Sequence, residues 1–362
     1  SREHPTQKIV TINFEDLLNP ALATVDAHPF FLHRTMTIPV FFTFDENYVV
    51  PAVVTLHSML SHADPRHTYP LHVLHMGLSE RARRELHRAV APFPNTTLSF
   101  IDTSAYDAGI EACPGKSHFS REIFFKLTAA DLFPQYDRIL CSDVDMLYTG
   151  DIAPSFSAFE GEDFYYAGVD TILPSTRMSL YPSFTDEERY WLEREINAGY
   201  LLFNLAAIRR DGMQRIMTDY YKANYARLPF PEQDCMALCC RERVRHFPMR
   251  YMVCNNFYTV HPDTTAFYPV IASLPADDAE RRAAFKAALA NPVEIHYIGA
   301  QKPWNSLGVP RQSLWLKALW RSGATAYFLR VLPRILSRKM QRYSLRRFLS
   351  KRFSRKAGHP TV

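Results

Sequence analysis

Residues 136–152, YDRILCSDVDMLYTGDI, constrain this chain most, because an apolar run ends in two aspartates, Asp143 and Asp145, one residue apart. Side chains two apart in an extended segment point the same way, so the spacing predicts both carboxylates facing one site while Val144 turns inward. Such a pair is half a site for a hard divalent cation. Ile139, Leu140, Val144, Met146 and Leu147 read as a strand buried on both faces, and open α/β sheets bind ligands beyond the carboxyl ends of such strands. An Asp-x-Asp triplet alone also marks ordinary solvated turns and helix starts. Here the strand-like run before it, the apolar residues after it and polar clusters downstream favour a site.

The flanking pattern agrees with an α/β sheet. Residues 37–62, TIPVFFTFDENYVVPAVVTLHSMLSH, predict a buried strand over 38–44, a polar turn at Asp45, Glu46 and Asn47, and a helix with apolar residues at Val50, Val53, Val54, Leu56 and Leu60. Strands over 71–76 and 97–101 with a charged helix from Ser79 between them extend this to three strand–helix repeats, hence a parallel or mixed sheet covered by helices. With 362 residues, 47% hydrophobic and 13% aromatic, the chain can bury one large α/β core or two smaller ones. It contains neither GxGxxG after the first strand nor GxxxxGK[ST], which disfavours a nicotinamide dehydrogenase and a P-loop NTPase.

Further along, residues 119–133 predict a helix and 164–169 a strand ending at Asp170. A polar, aromatic excursion over 171–195 is long enough for a lid or an acceptor-binding segment. INAGYLLFNLAAIRR then reads as strand and helix, with Asn197 and Asn204 at the ends of the apolar run. PEQDCMALCC places Glu232, Gln233 and Asp234 at a helix start, where acids suit the dipole. VEIHYIGAQKPW sets His296 on a strand, with Gly299, Lys302 and Trp304 in the following loop.

Charge is lopsided. No Asp or Glu follows Glu294, while fifteen Lys and Arg do, leaving 27 basic against 37 acidic residues before that point. Residues 326–356 interleave Leu332, Ile335, Leu336, Met340, Tyr343, Phe348, Leu349 and Phe353 with eleven Lys and Arg. That pattern suits the anionic face of a membrane; a helix packing its apolar side on the domain is the alternative, and nucleic acid is disfavoured by the acidic body. No apolar run reaches bilayer-spanning length, and the first residues lack a secretory pattern, so a cytoplasmic protein, peripheral on the inner membrane face, is expected. The six cysteines lack CxxC or zinc-finger spacing and read as buried free thiols.

Taken in order, FDENY, DLFPQYDRILCSDVDMLYTGD, NAGYLLFNL, EQD and HYIGAQKPW resemble glycosyltransferase family 8, the retaining, metal-dependent GT-A enzymes that include bacterial lipopolysaccharide galactosyl- and glucosyltransferases. The resemblance spans about residues 38–305. It implies a Rossmann-like GT-A α/β domain with a mixed central sheet over 37–305, after an extension over 1–36 and before a helical, basic, membrane-associating region over 306–362. It implies that Asp143, Asp145 and His296 ligate Mn2+, with Mg2+ the alternative, against a UDP-hexose diphosphate. On the donor side it places Asp45, Asn47, Tyr48, His118, Asp143, Val144, Gly299 and Lys302. Around the transferred hexose it places Asn197, Glu232, Gln233 and Lys126, and on the acceptor side Asp170. Family members usually carry Arg where Lys126 stands, and Lys keeps the charge without the planar two-pronged donor. The resemblance implies a saccharide acceptor, lipopolysaccharide or lipooligosaccharide core or another lipid-linked glycan, and leaves galactose against glucose open. The competing classes are a metal-dependent sugar nucleotidyltransferase or hydrolase, which should carry a Gly-rich basic first loop that FDENY is not, and a non-catalytic saccharide- or membrane-binding protein.

Overall fold

The computed structural model of the protein describes residues 35–107, 121–170, 179–259 and 278–342. Strand β1 (Val40–Thr43), helix α1 (Val49–His62), β2 (Tyr69–His75), helix α2 (Glu80–Val90) and β3 (Thr96–Asp102) form the expected repeats, with β1, β2 and β3 mutually parallel. Ser79 starts α2 by accepting a hydrogen bond from Ala82 N, the usual role of a helix-capping serine. β4 (Arg138–Ser142) lies parallel to β1 on its other side, Val40 opposite Leu140. The chain therefore leaves the β3 edge and returns across the sheet, and the reversal opens a crevice at the carboxyl ends of β1 and β4.

β5 (Met146–Tyr148) departs from this sheet. β6 (Tyr166–Asp170) and β7 (Ile196–Asn204) run antiparallel to each other, β7 pairs antiparallel with β4, and β8 (Val244–His246) runs parallel to β6. The result is a seven-stranded mixed sheet in the order β3-β2-β1-β4-β7-β6-β8. With β9 (Val253–Cys254) and β10 (Glu294–His296), β5 builds a second sheet in the order β5-β10-β9. The core presses aromatic rings against the central strands: Phe41 and Phe133 centroids are 5.3 Å apart, Phe41 and Phe203 5.4 Å, Tyr166 and Phe203 4.7 Å. Each fully buried ring contributes about 1.5–3 kcal/mol by leaving water.

Strand direction positions the site. The carboxyl ends of parallel β1 and β4 share an edge with the amino end of antiparallel β7, and β6 brings Asp170 opposite Ile196 at that edge. Asp45, Asp143, Asp170 and Asn197, scattered through the sequence, are thereby gathered along one rim.

Two expectations need correction. Asp143 and Asp145 are not on one strand: β4 stops at Ser142, the aspartates occupy a bend, and Met146 and Leu147 belong to β5 in the other sheet. The apolar run is a strand, a bend and a second strand, and the two halves find different partners. The helix expected over 119–133 is a 3-10 helix, Arg121–Thr128, followed by one α-turn, Ala129–Leu132. The polar excursion over 171–195 contains a real helix, Asp186–Leu192, started by a reciprocal capping box between Thr185 and Glu188; residues 171–178 lie outside the described part. Cys141, Cys235, Cys240 and Cys254 are buried free thiols and Cys239 is a half-buried one, as expected, while Cys113 lies outside the described residues. So do residues 1–34 and 343–362.

Candidate active site

The bend at Asp143 and Asp145 is held by backbone and by helix α1. Asp143 N donates to Gly199 O at 2.7 Å. The buried Thr55 hydroxyl lies 2.7 Å from Val144 O and 2.8 Å from Met146 O, bracketing Asp145. Val144 is buried, as expected from its place between the acids. Strand β10 pairs antiparallel with β5, His296 opposite Met146, which carries the imidazole back to the acids from 151 residues away in sequence. The candidate ligand atoms of Asp143, Asp145 and His296 all lie within 4.8 Å of one another. His296 Nε2 is 3.2 Å from Asp145 Oδ1.

Two hard carboxylates and one imidazole are a donor set that suits a divalent cation such as Mn2+ or Mg2+. Gly199 makes the fit spatial as well: a Cβ there would meet His296 Cε1 at 2.8 Å and Asn197 Oδ1 at 2.9 Å. Only a glycine leaves the imidazole room beside the bend.

Each acid also meets a lysine. Lys126 Nζ donates to Asp143 Oδ1 at 2.6 Å and to Ala198 O at 2.8 Å. Lys302 Nζ donates to Asp145 Oδ2 at 2.6 Å and to Tyr297 O. Burial disfavours the Lys126 charge, but attraction from Asp143, aided by Cys141 and Glu232, outweighs it and raises its pKa. For Asp145, burial pushes the pKa up, and Lys302 and His296 together push it further down, to well below the usual carboxylate range.

Along the rim, Gln233 is fixed at both ends of its amide. Its Oε1 accepts from Ala198 N at 3.1 Å and its Nε2 donates to Glu195 Oε1 at 2.7 Å. Its neighbour Glu232 is buried, one carboxyl oxygen has no hydrogen-bond partner, and burial pushes its pKa up to about 7 against the pull of Lys126. Asn197 Oδ1 accepts from Gly199 N at 2.8 Å. Asp170 is buried, with His246 Nδ1 2.7 Å from its Oδ1.

The first-strand turn completes the crevice. Asp45 accepts from Asn47 N at 2.8 Å and from Asn47 Nδ2 at 2.7 Å, so it does start the following 3-10 turn. Tyr48 stands edge-on to Trp304, centroids 6.1 Å apart, joining this turn to the loop that carries Lys302. Gly299 takes a φ of +76°, which favours glycine, and nothing lies within 4 Å of a Cβ built there, so its backbone is open to an approaching ligand. His118 lies outside the described residues.

Thr55, Glu195, Gly199 and His246 carry or brace the site and were missed by sequence reasoning. Thr55 sits among buried helix residues and resembles any core threonine. Glu195 reads as the end of a polar segment, and Gly199 reads only as the neighbour of Asn197.

A mixed sheet whose reversal point holds an Asp-x-Asp bend and a remote histidine matches the GT-A fold of known glycosyltransferases. The sequence profile described as Glycosyl transferase family 8 matches residues 39–308, and the chain belongs to that family. It is 22% identical over 302 residues to the lipopolysaccharide 1,2-glucosyltransferase of Escherichia coli, covering 81% of this chain and 79% of the relative. Among solved structures, the bifunctional glycosyltransferase WbbM superposes with a TM-score of 0.66 at 23% identity over 81% of this chain, which spans 51% of WbbM. The galactosyltransferase LgtC, solved with donor and acceptor sugar analogues, superposes with a TM-score of 0.59 at 19% identity, covering 78% of this chain and 96% of LgtC. These superpositions establish the shared fold.

Proposed function

We propose that this glycosyltransferase moves a hexose, galactose or glucose, from a UDP-sugar to a saccharide acceptor with retention, using Mn2+ or Mg2+. The observation that carries this reading is the convergence of Asp143, Asp145 and His296, from a bend and a distant strand, within 4.8 Å at the crevice of the sheet. Asp45, Asn47 and Tyr48 would receive the nucleoside, and Gly299 and Lys302 the diphosphate. His118, outside the described residues, is kept as a phosphate-side contact. When bound by the triad, the cation supplies Lewis-acid stabilisation of charge on the leaving diphosphate.

The chain's own residues do the rest. Lys302 adds a fixed positive charge where the departing group turns anionic. Glu232, Asn197 and Lys126 surround the hexose, and Asp170 faces the acceptor. Gln233, an amide with both ends engaged, is a poor nucleophile, so we assign attack by the acceptor hydroxyl on the same face, with the leaving phosphate taking its proton. A glycosyl adduct trapped on Gln233 or Glu232 would overturn that assignment.

The acceptor reading, a lipopolysaccharide or lipooligosaccharide core or another lipid-linked glycan, draws on the E. coli relative and on the C-terminal surface. Among the described residues no helix is long and apolar enough to cross a membrane. Helix Thr325–Arg342 packs its first turn on the domain, through buried Tyr327 and through Phe328 against Trp315 at 6.0 Å, and Lys339 donates to Asn305 O at 2.6 Å. Beyond that turn Leu329, Leu336 and Met340 are exposed, as is Trp320 on the preceding helix. We assign this surface, with its basic residues, to an anionic membrane at the cytoplasmic face. UDP release from a panel of UDP-sugars, with Mn2+ or with EDTA, tests the whole reading. Activity that persists unchanged in EDTA, or release from no UDP-sugar, sinks it.

A further inference from the structure

Four charges at the bend are already paired. Asp143 gives Oδ1 to Lys126 and Asp145 gives Oδ2 to Lys302, each at 2.6 Å. Neither lysine is an ordinary surface group: Lys126 is 1% exposed and tethered by Ala198 O, and Lys302 is 9% exposed and tethered by Tyr297 O. Two carboxylates and two ammonium groups sum to zero, so this is not the strongly negative cage expected of a site that captures a divalent cation alone.

We infer that Lys126 is a resident counter-cation of the metal bend: by neutralising Asp143 while Lys302 neutralises Asp145, it leaves the triad unable to hold a divalent cation tightly until a diphosphate arrives. This rests on the donor reading given above and goes beyond it.

The physical reason is charge balance in a largely buried space. A divalent cation entering alone adds two positive charges beside two fixed ammonium groups, where water screens poorly. The diphosphate of a nucleotide sugar brings two negative charges and restores neutrality; UDP, with its free terminal phosphate, brings about three and does so in excess. Cation and nucleotide therefore load as a unit, and linkage requires each to raise the other's affinity by the same factor. Of the two lysines, Lys126 is the informative one. Lys302 would also touch the diphosphate, so removing it alters nucleotide binding directly, whereas Lys126 sits on the Asp143 side, towards the hexose that UDP lacks.

The test uses the full chain, with Mn2+ followed by the loss of its free-ion electron paramagnetic resonance signal, without and with UDP. The wild type should bind Mn2+ about 5- to 150-fold more tightly with UDP, the usual range of such couplings, and UDP should gain the same factor with Mn2+. Lys126→Gln should bind Mn2+ alone several-fold more tightly and lose a matching part of the UDP enhancement. Lys126→Arg, which keeps the charge, should retain the wild-type pattern. A folded Lys126→Gln protein that binds Mn2+ alone no better than wild type overturns the inference. Should that variant not fold, the wild type can still overturn the inference: tight Mn2+ binding without UDP does so and leaves the donor reading standing. A wild type that takes up no Mn2+ even with UDP overturns the donor reading, and the inference with it.

Discussion

Gly199 stands directly behind His296, so close that a single added methyl would lie 2.8 Å from the imidazole Cε1. The same residue accepts the Asp143 amide hydrogen through its carbonyl, so one glycine on β7 sets the position of two members of the triad. Gly199→Ala should displace the imidazole and lower Mn2+ affinity in the presence of UDP by about 10- to 100-fold, the usual effect of disturbing groups that orient metal ligands. Calorimetric titration of Mn2+ into the UDP-saturated variant measures this, and wild-type affinity would contradict it.

Thr55 braces the other side of the bend, its hydroxyl placed between Val144 O and Met146 O. Thr55→Val keeps the shape and removes the one O–H donor that the two buried carbonyls share. Stability should fall by about 1–3 kcal/mol, and the donor KM should rise because Asp145 is no longer fixed. Urea unfolding and donor kinetics on the same preparation check both.

Gln233 faces the Glu195 carboxylate as a donor at 2.7 Å. Gln233→Glu would set two carboxyl groups against each other, and one must take a proton to restore the contact. The variant's kcat should therefore be depressed at neutral and alkaline pH and recover towards wild type as pH falls, because protonation rebuilds the hydrogen bond. A variant-to-wild-type ratio that stays flat from pH 5.5 to 8.5 would count against this.

Glu232 should make folding stability depend on pH. Its pKa is pushed up to about 7 in the fold by burial, against an unfolded value of 4.5. Below pH 4.5 both states hold the proton and the group contributes nothing. Between there and about pH 7 the unfolded state ionises first, so stability falls as pH rises, by about 3 kcal/mol in all, and then levels off. Glu232→Gln removes that decline. Wild-type and variant melting temperatures across this window should diverge in the variant's favour as pH increases.

The C-terminal surface offers a test that spares the fold. Leu329, Leu336 and Met340 are 59%, 42% and 74% exposed, whereas Tyr327 is buried. Changing the three to Gln should leave the unfolding free energy within about 1 kcal/mol of wild type and sharply reduce co-sedimentation with anionic phospholipid vesicles. Unchanged sedimentation would assign the surface another role.

The sequence by itself determined the opening strand–helix repeats, β1 to β3, because alternating buried strands and amphipathic helices follow from local apolar spacing. It also determined the chemistry available: two acids one residue apart, a histidine followed by a Gly and Lys loop, and an EQD helix start in which acids suit the dipole. Tertiary structure decided everything that depends on direction and distance. That Asp143 and Asp145 fall in a bend, not on a strand, follows from β4 and β5 entering different sheets, a choice made by partners more than 50 residues away that leave no local trace. Antiparallel β7 brought Gly199 behind His296, and packing set the buried Lys126 ammonium against Asp143, a pairing that its place in the sequence does not record. Periodicity records which face of an element is apolar; it does not record which other element will meet that face, and the geometry of this site is set by those meetings.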